Sequence, residues 1–403
     1  MNARPRGCKQ FFVNVSADFR PFQHCGIPPG RKRISGRAPL PYSDMRLPPC
    51  VQNKTCSQTD WSASISSLPS SLTYSARAFS YLPLQHNMAT EAEVQSLIGP
   101  GPPASVKGQM AVMKWAKQNP PKDAKHSFAG KTVIITGSNT GIGLPAATKF
   151  AANGASKVIL AVRTPSKGEE AKRAIIAQTG CKAERIDVLK LDMGDWASVK
   201  AFAAEVTSKY DEIHIAVLNA GVAPPKFVKS EKTGYEVALQ VNILSTAYLA
   251  MLLLPKLKSN ASKGTPGQLT ITGSFASKYV TAADVELKSG QTLIDKLNDP
   301  AAFNAGKTYG LIKLVTQYIR QGLVDDLSKD AQGSTDVFIN VACPGYCTTD
   351  LGRDFPWYLA MPTKLMQMFV GRTAEQGGRE LVSATLLGKT GHNKFWSNDC
   401  LDE

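Results

Sequence analysis

Tyr309 and Lys313 stand four residues apart in the stretch TYGLIK. If that stretch is helical, both side chains lie on one face. A free phenol titrates near ~10 and is a poor base at neutral pH. A neighbouring ammonium favours the phenolate and lowers that value. Such a tyrosine can exchange a proton with a substrate oxygen while a hydride moves. By itself the spacing is a weak signal, because it arises by chance in many helices. Two other polar residues give it context. Ser274 ends the run QLTITGS and is suited to hydrogen-bond a substrate carbonyl. Asn242 sits inside the apolar stretch QVNILSTAYL, where a buried amide costs free energy unless it is paired. It either kinks a helix and holds a water there, or is a satisfied polar residue of the core.

A second group of residues is suited to a nucleotide. In TGSNTGIG, Gly137, Gly141 and Gly143 are interleaved with Ser138, Asn139 and Ile142, between an apolar run and a helical pattern. Glycine permits a tight turn and lets backbone N–H groups come close to a pyrophosphate, and the helix N-terminus beyond adds partial positive charge. Preference for NAD usually comes from an acid that holds the ribose hydroxyls. Here the corresponding stretch is AVRTPSKGEE, with no acid before Glu169. Arg163 can fork onto a 2′-phosphate, or can simply be solvated at a strand end. The missing acid favours NADP over NAD. Asp192 either contacts the adenine edge or caps the helix that starts at Trp196. Asn219, Ala220 and Gly221 are small enough to let a cofactor pass, and Asn219 can alternatively tie neighbouring strand ends together.

These residues need a scaffold, and the chain supplies a repeating one. Apolar β-branched runs at Lys131–Gly137, Lys157–Arg163, Ile186–Asp192, His214–Ala220, Gln268–Ser274 and Asp336–Gly345 predict six strands. Helical patterns between them cover 142–152, 165–178, 196–209, 231–257 and 304–327. Such alternation implies right-handed βαβ units and a parallel sheet with ligands at the carboxyl ends of the strands. Every residue singled out above falls at one of those ends or on the helix that follows.

From about Lys131 to Leu387 the chain resembles the short-chain dehydrogenase/reductase family. Gly137, Gly141 and Gly143 match its Thr-Gly-x-x-x-Gly-x-Gly motif, and Asn219-Ala220-Gly221, Asn242, Ser274, Tyr309 and Lys313 match its further motifs in order. Pro344-Gly345 with Thr349 matches its motif after the sixth strand, whose threonine touches the nicotinamide amide. The run GIGLPAATKFAANGASKVILAVRTPSKGEEA is most similar to the retinol-dehydrogenase-like branch, including fungal members. The resemblance implies a catalytic tetrad of Asn242, Ser274, Tyr309 and Lys313. It also implies NADP and a single Rossmann-type, doubly wound α/β sheet of about seven strands with helices on both faces. The expected activity is that of an NADP-dependent carbonyl reductase or alcohol dehydrogenase acting on an apolar small molecule. The alternative is a catalytically silent NADP-binding regulatory or scaffold protein on the same fold. The chain departs from the family in having Gly273-Ser274 where two serines are common, with Ser277 as a substitute candidate. It also places Tyr309 35 positions after Ser274, wider than is usual in the family, so a flap near the substrate is expected there.

After the Pro-Gly loop comes LGRDFPWYLAMPTKLMQMFV, where this family places its substrate lid. Phe355, Trp357, Tyr358, Leu359, Met361, Leu365, Met366 and Phe369 suit an apolar substrate. They equally suit a helix packed on the core or on another subunit, or a membrane-surface contact. The helix around Asn242 is a candidate homodimer interface. The longest apolar run, AYLAMLLLP, is short of the ~18–20 residues that a membrane span needs.

The chain of 403 residues carries a formal charge of +15. Residues 1–87 hold 11 Lys/Arg, 3 Asp and no Glu, a net of +8, leaving +7 for the remaining 316. The basic excess is thus concentrated in a Ser-, Pro- and Arg-rich stretch, and nucleic-acid binding by the rest is not expected. That stretch reads as a disordered extension, either a transit segment or the result of an early start, with Met88 as the true one. A helical lead-in over 88–127 and a catalytic domain over 128–403 follow. Cys8, Cys25, Cys50, Cys56, Cys181, Cys343, Cys347 and Cys400 include no Cys-x-x-Cys, and the five histidines complete no zinc pattern. Reduced thiols and no metal are expected. The expected location is intracellular and cytoplasmic, or mitochondrial if the tail is a transit segment.

Overall fold

Strand β1 (Thr132–Thr136) is a run of β-branched residues that is almost wholly buried, as a central parallel strand requires. Strands β2 (Lys157–Val162), β4 (Ile215–Leu218), β5 (Gly267–Thr272) and β6 (Val337–Cys343) are of more mixed composition and are likewise almost wholly buried. With β3 (Ile186–Lys190), β7 (Phe395–Ser397) and β8 (Cys400–Asp402) they form one eight-stranded sheet in the order β3-β2-β1-β4-β5-β6-β7-β8. This computed structural model describes residues 88–330, 332–352 and 355–402, which fall within one compact unit. The expectations for residues 1–87, with Cys8, Cys25, Cys50 and Cys56, lie outside the described residues.

All neighbouring strands are parallel except β7 and β8. The seven parallel strands match the expected sheet, and β8 adds an antiparallel strand at its edge. The two-residue turn from β7 to β8, Asn398-Asp399, has φ of 56° at both positions. Asn and Asp tolerate that left-handed conformation, and it matches the twist of a tight hairpin.

Helices α1 (Glu91–Leu97) and α2 (Gln109–Gln118) precede the sheet. Val94 and Leu97 of α1 enter the same core cluster as Phe128 and Phe150. Those two rings meet edge to face at 4.7 Å. Around the sheet run α3 (Gly143–Ala152), α4 (Pro165–Thr179), α5 (Trp196–Lys209), α6 (Val237–Lys258), α7 (Leu293–Leu297), α8 (Ala305–Leu327), α9 (Trp357–Val370) and α10 (Ala374–Ala384). Helix α6 starts later than the expected residue 231. Residues 230–235 form a turn closed by Ser230 N–H donating to the Tyr235 carbonyl at 2.8 Å, and Glu236 caps the helix through the Leu239 amide. By length and composition α6 could cross a membrane, longer than the short run that the sequence suggested, but most of it is buried among α5, α8 and the sheet.

Between Ser274 and α8 the inserted segment is a series of short turns tied down at several points. Asn298 Oδ1 accepts from the Glu236 amide at 2.7 Å, and Phe227 meets Phe303 edge on at 6.0 Å. Lys278 pairs with Asp402 of β8 at 2.6 Å. The expected flap is therefore a fixed shelf beside the start of α8.

Candidate active site

The ends of β1, β4 and β5 are knitted into one hydrogen-bonded edge. Thr136, the last residue of β1 and fully buried, accepts the backbone amides of Asn219 and Ala220 through its hydroxyl, both at 2.9 Å. Asn219 Nδ2 donates to the Thr136 carbonyl at 3.0 Å, and Thr272 Oγ1 donates to Asn219 Oδ1 at 3.4 Å. Asn219 therefore ties strand ends together, the second of its two anticipated roles. From the next strand end the Thr272 carbonyl receives Lys313 Nζ at 2.8 Å. The lysine is thereby linked, by way of Thr272, Asn219 and Thr136, to the glycine turn.

At Gly137 and Gly143 that turn has no room for a side chain. A Cβ on Gly143 would lie 2.5 Å from the Gly137 carbonyl oxygen and 2.7 Å from Asn219 Nδ2. Gly137 has φ of 65°, and a Cβ there would lie 3.0 Å from Ala220 Cα. The Ser138 hydroxyl is turned inward and donates to the Ile135 carbonyl at 2.9 Å. Ile142 begins α3 without any side-chain cap, and Pro145 lies in the first turn. Leu144 N–H already donates to the Thr140 carbonyl at 3.4 Å and Pro145 has no N–H, so within the first turn it is the Gly143 amide that is left for an anionic pyrophosphate. Across from the turn, Gly141 has its nearest non-adjacent neighbour at Thr349 Cβ, 3.8 Å from an added Cβ. Thr140 Oγ1 donates to Asp350 Oδ2 at 3.0 Å. The loop after β6 and the glycine turn therefore face each other. The glycine cradle, the uncapped helix and the Thr349 loop fit a dinucleotide.

Arg163 is exposed just beyond β2. Asp192 lies beyond β3, where its Oδ1 accepts the Gly194 amide at 3.0 Å and Lys232 stands 3.7 Å away. It does not cap α5. Asp195 does so, accepting the Ala197 amide at 3.0 Å, because the helix starts one residue after it. Asn139 lies in the turn itself.

The proton-transfer candidates converge at the end of β5. Asn304 caps α8 through the Lys307 amide at 3.1 Å, which fixes the start of the helix that carries Tyr309 and Lys313. The Ser274 hydroxyl lies within hydrogen-bonding reach of the Tyr309 phenol, and Lys313 Nζ is 5.8 Å from the centre of the Tyr309 ring. Ser277 instead donates to the Ser274 carbonyl, away from the phenol. Burial pushes the phenol up to about 12 and the Lys313 ammonium down to about 8. This corrects the electrostatic expectation, because Lys313 does not draw the phenol below its ordinary value. Desolvation sets the rise, with the Ser274 hydroxyl opposing it, and the Lys313 ammonium makes its hydrogen bond to the Thr272 carbonyl. The phenol is held neutral, the form that can donate a proton.

Asn242 does not reach this cluster through any bond found among the described residues. It lies in a π-helical stretch, Gln240–Leu244, at the start of α6. Its Oδ1 accepts the Val222 amide at 2.9 Å and its Nδ2 donates to the Val222 carbonyl at 2.8 Å. The amide thus clamps the chain just beyond Gly221, and the widened helical turn turns it toward that segment.

One arrangement was not legible in the sequence. Arg372, buried after α9, exchanges backbone hydrogen bonds with the loop after β6: its N–H donates to the Tyr346 carbonyl at 2.7 Å and its carbonyl accepts from Thr348 at 2.8 Å. Its guanidinium donates to the carbonyls of Ala116 and Asn119 and stands 3.8 Å from Glu380. Burial pushes the Glu380 carboxyl up to about 8, with Arg372 opposing the rise. Arg372 thereby braces the Pro344-Gly345 loop and Thr349 against α2. Its only sequence signal is a lone arginine among apolar residues.

A parallel sheet with a glycine cradle at one strand end and a serine, tyrosine and lysine gathered at another defines a dinucleotide-dependent oxidoreductase scaffold. Comparison with known proteins supports that class. Residues 131–285 match the short chain dehydrogenase family model. The chain is 44% identical over 294 residues to the short-chain dehydrogenase/reductase ffsI of Aspergillus flavipes, covering 73% of this chain and 84% of that protein. It is 43% identical over 296 residues to the short-chain dehydrogenase/reductase phmF of Phaeosphaeria nodorum, covering 73% and 85%. A short-chain dehydrogenase/reductase of unknown function from Caenorhabditis elegans, crystallised with cofactor, is similar in fold with a TM-score of 0.50 at 19% identity, covering 67% of this chain and 95% of that one. The chain belongs to the short-chain dehydrogenase/reductase family of oxidoreductases.

Proposed function

We propose that this protein interconverts an alcohol and a ketone or aldehyde on an apolar small molecule, using NADP, with Tyr309 as the general acid and base. The observation that carries the reading is the convergence of Ser274, Tyr309 and Lys313 at an edge bonded through to the glycine turn. When bound, the nicotinamide would supply or accept the hydride. The chain's own residues do the rest. Ser274 hydrogen-bonds the substrate oxygen and orients it toward the phenol. Tyr309, neutral in its buried setting, donates its proton to that oxygen as the carbonyl is reduced. Lys313, held by the Thr272 carbonyl, supplies the positive charge that the phenolate needs once the proton has left. Alcohol oxidation runs through the same groups in reverse and requires the phenolate first. Gly137, Gly141, Gly143 and the start of α3 would hold the pyrophosphate, and Pro344, Gly345 and Thr349 would border the nicotinamide.

The preference for NADP rests on Arg163, exposed beyond β2 with no acid before Glu169. The apolar substrate class rests on the lid segment, although the structure divides it. Phe355 and Met366 are half-buried, whereas Trp357, Tyr358, Met361, Leu365 and Phe369 face solvent. Only the first two are placed as a lining would be.

The test is NADPH oxidation against a panel of apolar aldehydes and ketones. Tyr309→Phe should lower kcat by about 10²–10⁴-fold with NADPH affinity unchanged. Tight NADPH binding without turnover of any substrate in the wild type would make the protein a silent nucleotide binder instead.

A further inference from the structure

Helix α9 is amphipathic in the wrong sense for a helix packed on a core. At 100° per residue, Trp357, Met368, Met361, Leu365, Tyr358 and Phe369 fall on one arc of about 120°. They are 79%, 71%, 65%, 56%, 59% and 69% exposed. The arc is apolar along the whole helix and meets solvent, while Val370 is the helix's one buried residue. Contiguous exposed apolar area of this kind marks a binding surface.

Charge identifies the partner. Helix α2 packs beside α9, where Lys117 Nζ donates to the Met368 carbonyl. Met110, Lys114 and Lys117 lie along one side of α2, and Met110 is 54% exposed. Lys107, Lys114 and Lys364 are exposed, and residues 99–122 and 355–374 contain no Asp or Glu. An apolar stripe with aromatic residues at both ends and a wholly cationic border matches an interfacial helix on anionic lipid. Trp and Tyr are the residues favoured at headgroup depth. An isologous dimer through this face would set lysine against lysine, because residues 99–122 and 355–374 hold no acid.

We propose that α9, with the adjoining side of α2, seats on the surface of an anionic lipid bilayer. The apolar arc enters the headgroup boundary and Lys107, Lys114 and Lys364 meet lipid phosphates and carboxylates. The surface needs neither cofactor nor substrate, so it stands apart from the redox reading.

The full chain tests this with phosphatidylcholine vesicles containing roughly 30% phosphatidylserine, compared with neutral vesicles. The basic stretch before residue 88 can attract such vesicles by itself, so the readout must be local. Brominated acyl chains should quench the emission lost on Trp357→Phe. Combined Trp357→Ser, Met361→Ser and Phe369→Ser should lower vesicle partition more than tenfold with an unchanged melting temperature. Lys114→Gln with Lys364→Gln should lower partition to anionic vesicles by roughly fivefold per charge and leave neutral vesicles alone. Vesicle binding with Trp357 unquenched and the serine variant unaffected would assign the binding elsewhere and overturn the proposal. A dimer in light scattering that the serine variant dissociates, without vesicle binding, would assign the surface to a second copy.

Discussion

Lys313 is the residue whose removal separates chemistry from stability. It is 7% exposed, and burial lowers it from 10.5 to about 8. A folded-state value below the unfolded one means that the native chain carries the charge at a cost. That cost is fully present below pH 8 and is relieved as pH rises from 8 toward 10.5. By linkage it is about 3 kcal/mol at pH 7 and about 1 kcal/mol at pH 10. Lys313→Met removes the charge and keeps the volume. It also leaves the Thr272 carbonyl without its ammonium donor, a loss of about 1.5–3 kcal/mol. The two effects nearly cancel at pH 7, so the variant should unfold in urea within about 1 kcal/mol of the wild type. At pH 10 about 1 kcal/mol of that cost remains to offset the lost bond, so the variant should be less stable than wild type by about 2 kcal/mol more than at pH 7. Other groups that titrate in this window are common to both chains and drop out of the comparison. Turnover should fall by at least 10²-fold at both pH values. An equal stability difference at pH 7 and pH 10 would refute the argument, because it would mean that Lys313 is solvated and not the buried cation inferred here.

Arg163→Ala should weaken NADPH by roughly 10-fold or more, as expected for a lost charge-assisted bond, and leave NADH nearly unchanged; titration of both cofactors by fluorescence checks this. Gly143→Ala should destabilise the chain by about 1–3 kcal/mol, because the added carbon meets a backbone oxygen and the Asn219 amide that ties β1 to β4; a melting temperature equal to wild type would show that the cradle yields. Asn242→Leu leaves the Val222 amide and carbonyl unpaired and should cost about 2 kcal/mol in urea unfolding. If the role of Asn242 is confined to that clamp, the residual turnover of the folded variant should stay within about tenfold of wild type; a larger loss would place Asn242 among the catalytic residues.

Six strands, β1 to β6, were legible to within a residue or two because central parallel strands are uninterrupted apolar runs, whereas the three-residue β7 and β8 were not read; α5 matched its expected span because Asp195 caps it and its apolar face is regular. What the sequence concealed depends on local conformation or on solvation. The turn before α6 reads as helix by composition, but Gly234 sits at φ of 76° and breaks it. Strand β8 is three residues long and follows from the left-handed Asn398-Asp399 pair more than from any periodicity. Asp192 and Asp195 stand three apart, and only the start of α5 decides which one caps it. The order of Ser274, Tyr309 and Lys313 along the chain predicted their meeting. It did not predict that burial governs the titration of the last two.

That last discrepancy bears on how the site works. A phenol near its ordinary value of about 10 is already almost wholly protonated at neutral pH, and desolvation moves it further in that direction. Here both groups are desolvated in the same pocket edge, which keeps the phenol protonated and the ammonium near the point of losing its own charge. In the proposed reaction, proton transfer from Tyr309 to a substrate oxygen would create an anion beside the Lys313 ammonium, whose charge would then stabilise it. The lysine cannot swing away to weaken that attraction, because the Thr272 carbonyl holds it and Thr272 is itself bonded to Asn219 and through it to Thr136. The same three bonds set the height of the glycine turn relative to α8. The distance between the nucleotide cradle and the proton donor is therefore fixed by strand ends and not by a mobile loop, which suits a reaction in which hydride and proton must reach adjacent atoms of one carbonyl.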